Sequence, residues 1–189
     1  MIKLIAMCGA IGSGKDTVAN YLQEQHGFTI VSFAEPLKRI AMSVYGLEYR
    51  HVFGTQIDKN EVIQSVLDAD GRPRTTREIL EWLGTEGFRT IDPNTWVKLG
   101  MRTACKIMGE GGRVVISDTR FFNEFEAVKN CGGEIWKVEK TGCGAEPSTG
   151  HDSDEQWRKW HRGRGVDTIL RAEKGDLARL YETADSCLR

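Results

Sequence analysis

Apolar runs of four to six residues alternate along the chain with longer stretches in which apolar positions recur every three or four residues. The short runs lie at residues 3–7, 28–33, 113–117, 134–138 and 166–170. Such compact, nearly continuous hydrophobicity marks strands buried on both faces, and helix-length segments between them make parallel βαβ units. The pattern predicts an α/β protein with a five-stranded parallel sheet flanked by helices. A first helix is expected from about 16 to 25, stopped by Gly27. Pro36 suits the first turn of a second helix carrying Leu37, Ile40, Ala41 and Val44. Thr75 and Glu78 have capping-box spacing ahead of Ile79, Leu80 and Leu83. Asp92 or Asn94 opens a further helix with Trp96, Leu99 and Cys105 facing inward. The stretch "DADGRPR", 68–74, reads as a loop.

After the fourth apolar run the pattern breaks into "KTGCGAEPSTGHDSDEQWRKWHRGRG", dense in glycine, charge and tryptophan. At the carboxyl end of a parallel sheet, where ligands bind, such an excursion is a candidate lid over about 141–165. A solvated surface hairpin is the alternative. No repeat, low-complexity tract or interdomain linker appears, so a single domain over 1–189 is expected.

Composition changes this picture little. The chain has 189 residues, 40% hydrophobic and 28% charged, which suits a water-facing fold, and no apolar run approaches the ~20 residues of a membrane span. The start "MIKLIAMCG" meets glycine too soon for a secretory signal, so a cytoplasmic protein is expected. Its 5 cysteines are odd in number, scattered and never spaced C-x-x-C, which fits reduced thiols better than disulfides or zinc. A net charge of −1 offers no extended basic face for nucleic acid.

The candidate chemistry begins at "GAIGSGKDT". This stretch matches the phosphate-loop pattern G-x-x-x-x-G-K-[ST] at Gly9, Gly14 and Lys15, directly after a strand and before a helix. Gly9, Ala10, Gly12, Ser13 and Gly14 would turn backbone N–H groups toward a phosphate chain, the helix start adds positive potential, and Lys15 reaches the terminal phosphates. Asp16, however, occupies the place of the usual magnesium-binding hydroxyl, and Thr17 follows one residue late. Farther on, "RVVISD" is an apolar strand ending in Asp118, which suits a carboxylate near magnesium. Arg120, two residues later, carries a fork of donors matched to a phosphate dianion. Neither a D-x-x-G after Asp118 nor any N-K-x-D occurs, which disfavours a switch GTPase and leaves a small phosphotransferase.

The sequence resembles the phage-type, T-even-like deoxynucleoside monophosphate kinases over nearly its whole length. The likeness is carried by "GSGKDT", "EPLK" at Glu35 to Lys38, "REILEWLGTE" from Arg77, "WVKL" from Trp96, "SDTR" from Ser117, "GHDSD" from Gly150, and "LRAEKGDLARL" near the end. It implies a P-loop kinase fold with a small lid, and transfer of the ATP γ-phosphoryl group to a deoxynucleoside monophosphate with Mg2+ as cofactor. The partners are then ATP and the monophosphate, with no nucleic acid, no membrane, and a homodimer left open. Another small-molecule kinase, such as a dephospho-coenzyme A or general nucleoside monophosphate kinase, is the alternative, ahead of a non-catalytic nucleotide-binding module. The family pattern also carries Lys-Asp-Thr, so Asp16 becomes a magnesium ligand beside Asp118, with service to the helix end as its plainer alternative. Thr17 is then expected on the α-phosphate. Lys38, Arg77 and Arg120 match basic positions of the family motifs and are expected on the acceptor phosphate, within an acceptor region of about 34–100. Trp96 either walls the base pocket or belongs to the core. Arg158, Arg162 and Arg164 of the lid are expected to close on the transferring group, with His151 ordering the lid. No general base is expected, because the acceptor oxygen is already ionised.

Overall fold

Strand β1 (Leu4–Cys8) is buried at every position, and its five apolar side chains admit no other placement than the middle of a sheet. In the computed structural model, which describes residues 2–10, 12–141, 165–173 and 175–188, β1 is joined in parallel by β2 (Phe28–Val31), β5 (Arg113–Ile116), β6 (Glu134–Thr141) and β7 (Thr168–Glu173). The order across the sheet is β2-β5-β1-β6-β7. Register pairs Ala6 with Ile116 on one side of β1 and Cys8 with Lys137 on the other. The chain leaves β1 toward β2 in one direction and passes from β5 to β6 in the other. A crevice at the carboxyl ends of the central strands is the consequence of that reversal.

The chain forms two compact units, Met1–Phe33 with Gly100–Arg189, and Ala34–Leu99. The first holds the sheet, α1 (Lys15–His26), α8 (Phe122–Asn130) and α9 (Leu177–Leu188). Val18 and Leu22 of α1 and Leu180 and Ala184 of α9 pack with Met7, Trp136 and Leu170 of the sheet. Gly27 ends α1 as expected, in the left-handed conformation with φ of 68°. Tyr21 of α1 stacks on Tyr181 of α9 with ring centroids 4.1 Å apart, and donates to Asp185 at 2.9 Å.

The second unit interrupts the sheet between β2 and β5. It runs through α2 (Glu35–Tyr45), α3 (Tyr49–Phe53), α4 (Gln56–Lys59), a hairpin of β3 (Val62–Leu67) and β4 (Pro73–Thr75), α5 (Thr76–Trp82), a π-helical turn (Leu83–Gly87) and α6 (Phe88–Ile91). Helix α7 (Thr95–Gly109) begins in this unit and ends in the other. A small core of Ala41, Leu47, Val52, Ile79 and Leu83 holds it together. The predicted capping box forms: Glu78 accepts from the Thr75 amide at 2.7 Å, and the Glu78 amide donates to the Thr75 hydroxyl at 3.2 Å.

The hairpin is absent from the sequence reading. Its tip does lie in the 68–74 stretch, where the Asp68 carboxylate accepts from the amides of Asp70 and Arg72, each at 2.9 Å. Strand β3 has no buried position, so no core-facing apolar alternation exists to reveal it. Strands β6 and β7 also extend farther than the apolar runs, to Thr141 and Glu173, because their backbones keep pairing through the ends.

Candidate active site

The loop from Gly9 to Gly14 is shaped by backbone that other residues resist. Gly9, Gly12 and Gly14 have φ of 136°, 74° and 105°, values that L-residues with a Cβ rarely adopt. At Gly9 a Cβ would also stand 2.5 Å from the Val138 carbonyl oxygen, so the loop lies directly against β6. The turn closes with the Ser13 amide donating to the Ala10 carbonyl at 3.2 Å. Lys15, only 9% exposed, curls its ammonium back over the loop and donates to the carbonyls of Gly9 at 2.9 Å and Ala10 at 2.6 Å. A glycine-shaped loop at a helix N-terminus with a lysine ammonium folded over it is the arrangement that suits a phosphate chain. The Ser13 hydroxyl is buried and has no hydrogen-bond partner among the described residues.

Asp16 is exposed in the first turn of α1. Asp118 follows β5, and the Thr119 amide donates to the Met7 carbonyl at 3.2 Å, which fixes the strand end beside the end of β1. The Asp118 carboxylate is itself oriented: one oxygen accepts from the Ser32 hydroxyl at 2.6 Å and the other from the Phe33 amide at 2.9 Å. Arg120 is half-buried. Its amide and that of Phe121 donate to one Glu124 oxygen at 2.7 and 3.0 Å, so the buried Glu124 sets the backbone from which Arg120 springs. The sequence reading missed Glu124, although Phe121 to Glu124 has N-cap to N3 spacing.

Two further features surround the loop. Cys8, the last residue of β1, has its thiol pushed up to about 12 by burial, with Lys137 and Lys15 pulling the other way. It is no nucleophile at neutral pH. Lys140, also unremarked in the sequence, brings its ammonium to 3.9 Å from the Cβ position of Gly12.

The remaining expected residues belong to the second unit or fall outside the described residues. The Lys38 ammonium sits 4.7 Å from the Phe53 ring centroid, a cation–π contact. Arg77 is occupied as a brace between α4 and α5. It donates to Asn60 at 3.0 Å and to Gln56, and lies 3.9 Å from Glu81. Trp96 is 1% exposed; its indole N–H donates to the Gly84 carbonyl at 3.0 Å, and its ring packs on Phe88 with centroids 5.0 Å apart. Trp96 is thus enclosed among residues of its own unit. Arg158, Arg162, Arg164 and His151 lie outside the described residues.

Among the described residues, no three His, Cys, Asp or Glu side chains gather into a metal site. A pair of carboxylates near a phosphate loop fits magnesium all the same, since this ion usually takes one or two carboxylates and completes its shell with water and substrate phosphates.

No protein-family model matches the chain. Its sequence is 30% identical over 195 residues to a protein of Acanthamoeba polyphaga mimivirus, across 98% of this chain and 95% of that one. Among solved structures, TT1252 from Thermus thermophilus aligns with a TM-score of 0.51 at 17% identity, covering 99% of this chain and 96% of its own. Dephospho-CoA kinase from Campylobacter jejuni aligns at 0.53 and 13% identity, covering 100% and 96%. A parallel sheet of this order with a glycine-shaped loop and its lysine defines the P-loop fold, which the chain shares with that Campylobacter structure. The mimivirus relative bears the provisional name deoxynucleotide monophosphate kinase, and the chain belongs to that family.

Proposed function

We propose that this kinase transfers the γ-phosphoryl group of ATP to a deoxynucleoside monophosphate, giving the deoxynucleoside diphosphate and ADP. The observation that carries the reading is a relationship running through 98% of the chain to a relative named for that activity; the loop and the end of β5 supply suitable chemistry. The loop amides and Lys15 hold the β- and γ-phosphates, and Thr17 meets the α-phosphate. Asp16 and Asp118 would hold magnesium, which supplies neutralisation of the phosphate charge when bound. Asp118 is already aimed by Ser32 and Phe33, so little reorganisation is needed.

Arg120 takes the acceptor phosphate, with its backbone set by Glu124. Lys38 is a second acceptor-side cation. Arg77 joins it only by exchanging Asn60 and Gln56 for phosphate oxygens. The acceptor attacks with an oxygen that is ionised at neutral pH, so this chain's task is alignment and charge stabilisation.

A coupled assay of ADP release with ATP and a panel of deoxynucleoside monophosphates, ribonucleoside monophosphates and dephospho-coenzyme A tests the reading. Turnover is expected with at least one deoxynucleotide. Turnover with dephospho-coenzyme A alone, or with no acceptor, overturns it. In the same assay Arg120→Ala is expected to raise KM for the monophosphate more than KM for ATP; a rise for ATP alone moves Arg120 to the donor side.

A further inference from the structure

Strand β6 meets the phosphate loop along one face. The Val138 carbonyl is packed against Gly9, and a Val138 methyl lies 3.7 Å from the Cβ position of Gly14. Side chains two apart on a strand share a face, so Lys140 follows Val138 onto the loop side, and its Nζ arrives 3.9 Å from the Cβ position of Gly12. Nothing bulkier than a hydrogen stands on Gly12 to shield the loop from it.

The charges near this strand end are otherwise engaged. Glu139 points to the opposite face, where it pairs with Lys137 and accepts from Arg171 at 2.9 Å. Lys15 is tied to two loop carbonyls. The Lys140 ammonium, by contrast, makes no hydrogen bond or ion pair with the described residues, although its side chain is half-buried. A half-buried cation with no counter-charge among the described residues is complementary to an anion held in the cradle beside it.

We propose that Lys140 is a second cation for the polyphosphate chain of the bound nucleotide, reaching it from β6 while Lys15 reaches it from α1. The inference rests on the loop being the ATP site and is independent of which acceptor is used. Lys140 is anchored on a strand that is already in place against the loop, so it acts on the ground-state complex. Its loss weakens nucleotide binding more than it slows transfer.

The test is calorimetric titration of the whole chain with ATP and magnesium, without acceptor, at low and at high salt. Lys140→Met keeps the aliphatic stem and removes the charge; Lys140→Arg keeps the charge. For Lys140→Met an affinity loss of about 10-fold is expected at low salt, the size of one charge-assisted hydrogen bond. The loss shrinks at high salt, because an accessible ion pair is screened. Lys140→Arg is expected to recover most of the affinity. Unchanged affinity in Lys140→Met overturns the proposal, and so does an equal loss at both salt levels, which marks packing in place of charge. Because no acceptor is present, failure here leaves the acceptor assignment untouched, and failure of the acceptor panel leaves this result standing.

Discussion

Asp16 is the residue at which the loop departs from its pattern, and its two readings have different consequences. It lies exposed in the first turn of α1, where a carboxylate also favours the positive helix end by ~0.3–1 kcal/mol. As a magnesium ligand it does more, since a carboxylate beside β- and γ-phosphates is repelled without a cation between them. Asp16→Ala is therefore expected to lower turnover on the order of 10-fold and to shift the magnesium titration upward, a scale typical of weakened metal sites. Asp16→Ser, which restores a hydroxyl near the helix start, is expected to recover part of it. Wild-type turnover across the magnesium series, with only a lower melting temperature, would assign Asp16 to the helix end. Trp96 and Arg77 add a complementary point: motif position offers both for the acceptor, Trp96 with a core role as its alternative, and in the structure Trp96 is enclosed while Arg77 braces two helices. A sequence shows that a residue recurs in a motif, not which neighbours already claim its polar atoms.

At the scale of elements, the loop is held by contact with β6 as much as by its own turns. Gly9→Ala places a Cβ 2.5 Å from the Val138 carbonyl in addition to a strained φ of 136°. It is expected to destabilise the fold by roughly 1–3 kcal/mol and to weaken ATP binding. Gly46→Ala, at φ of 65° with open space around it, carries only the conformational cost of about 1–2 kcal/mol and leaves ATP binding unchanged. Thermal melts with and without ATP separate the two, and equal ATP shifts in both variants would contradict the role given to β6. The sheet was legible because each strand is a run of apolar residues in a buried layer, and α1 because its glycines and caps stand at fixed offsets. The β3–β4 hairpin was not, since β3 has no fully buried position, and backbone pairing, the Asp68 turn and partial packing of Ile63 and Val66 place it. Lys140 and Glu124 escaped for a related reason. Their significance lies in what β6 and the β5 end bring near them, which no local pattern records.

For the molecule as a whole, burial is unevenly divided. The sheet unit has β1 covered at every position and its large core around Trp136 and Phe28. The unit from Ala34 to Leu99 has a small core, and it exposes Val44, Tyr49, Ile57, Leu67, Trp82 and Ile91. Regions with fewer buried apolar contacts open at lower free energy. Native-state hydrogen exchange is accordingly expected to show α3, α4 and β3 exchanging well before β1, β5 and β6; equal protection in both units would refute the difference. The pushed-up thiol at the end of β1 has a consequence for how the molecule meets oxidants and alkylating reagents. Thiolate is the form that reacts, and Cys8 stays protonated under a 1% exposed surface, whereas Cys105 is open to solvent, as is Cys131, whose thiol partial burial and Cys105 also push up. Oxidative damage and thiol labels are thereby diverted to the periphery, so that a dye can report on this kinase without touching the strand that carries its phosphate loop.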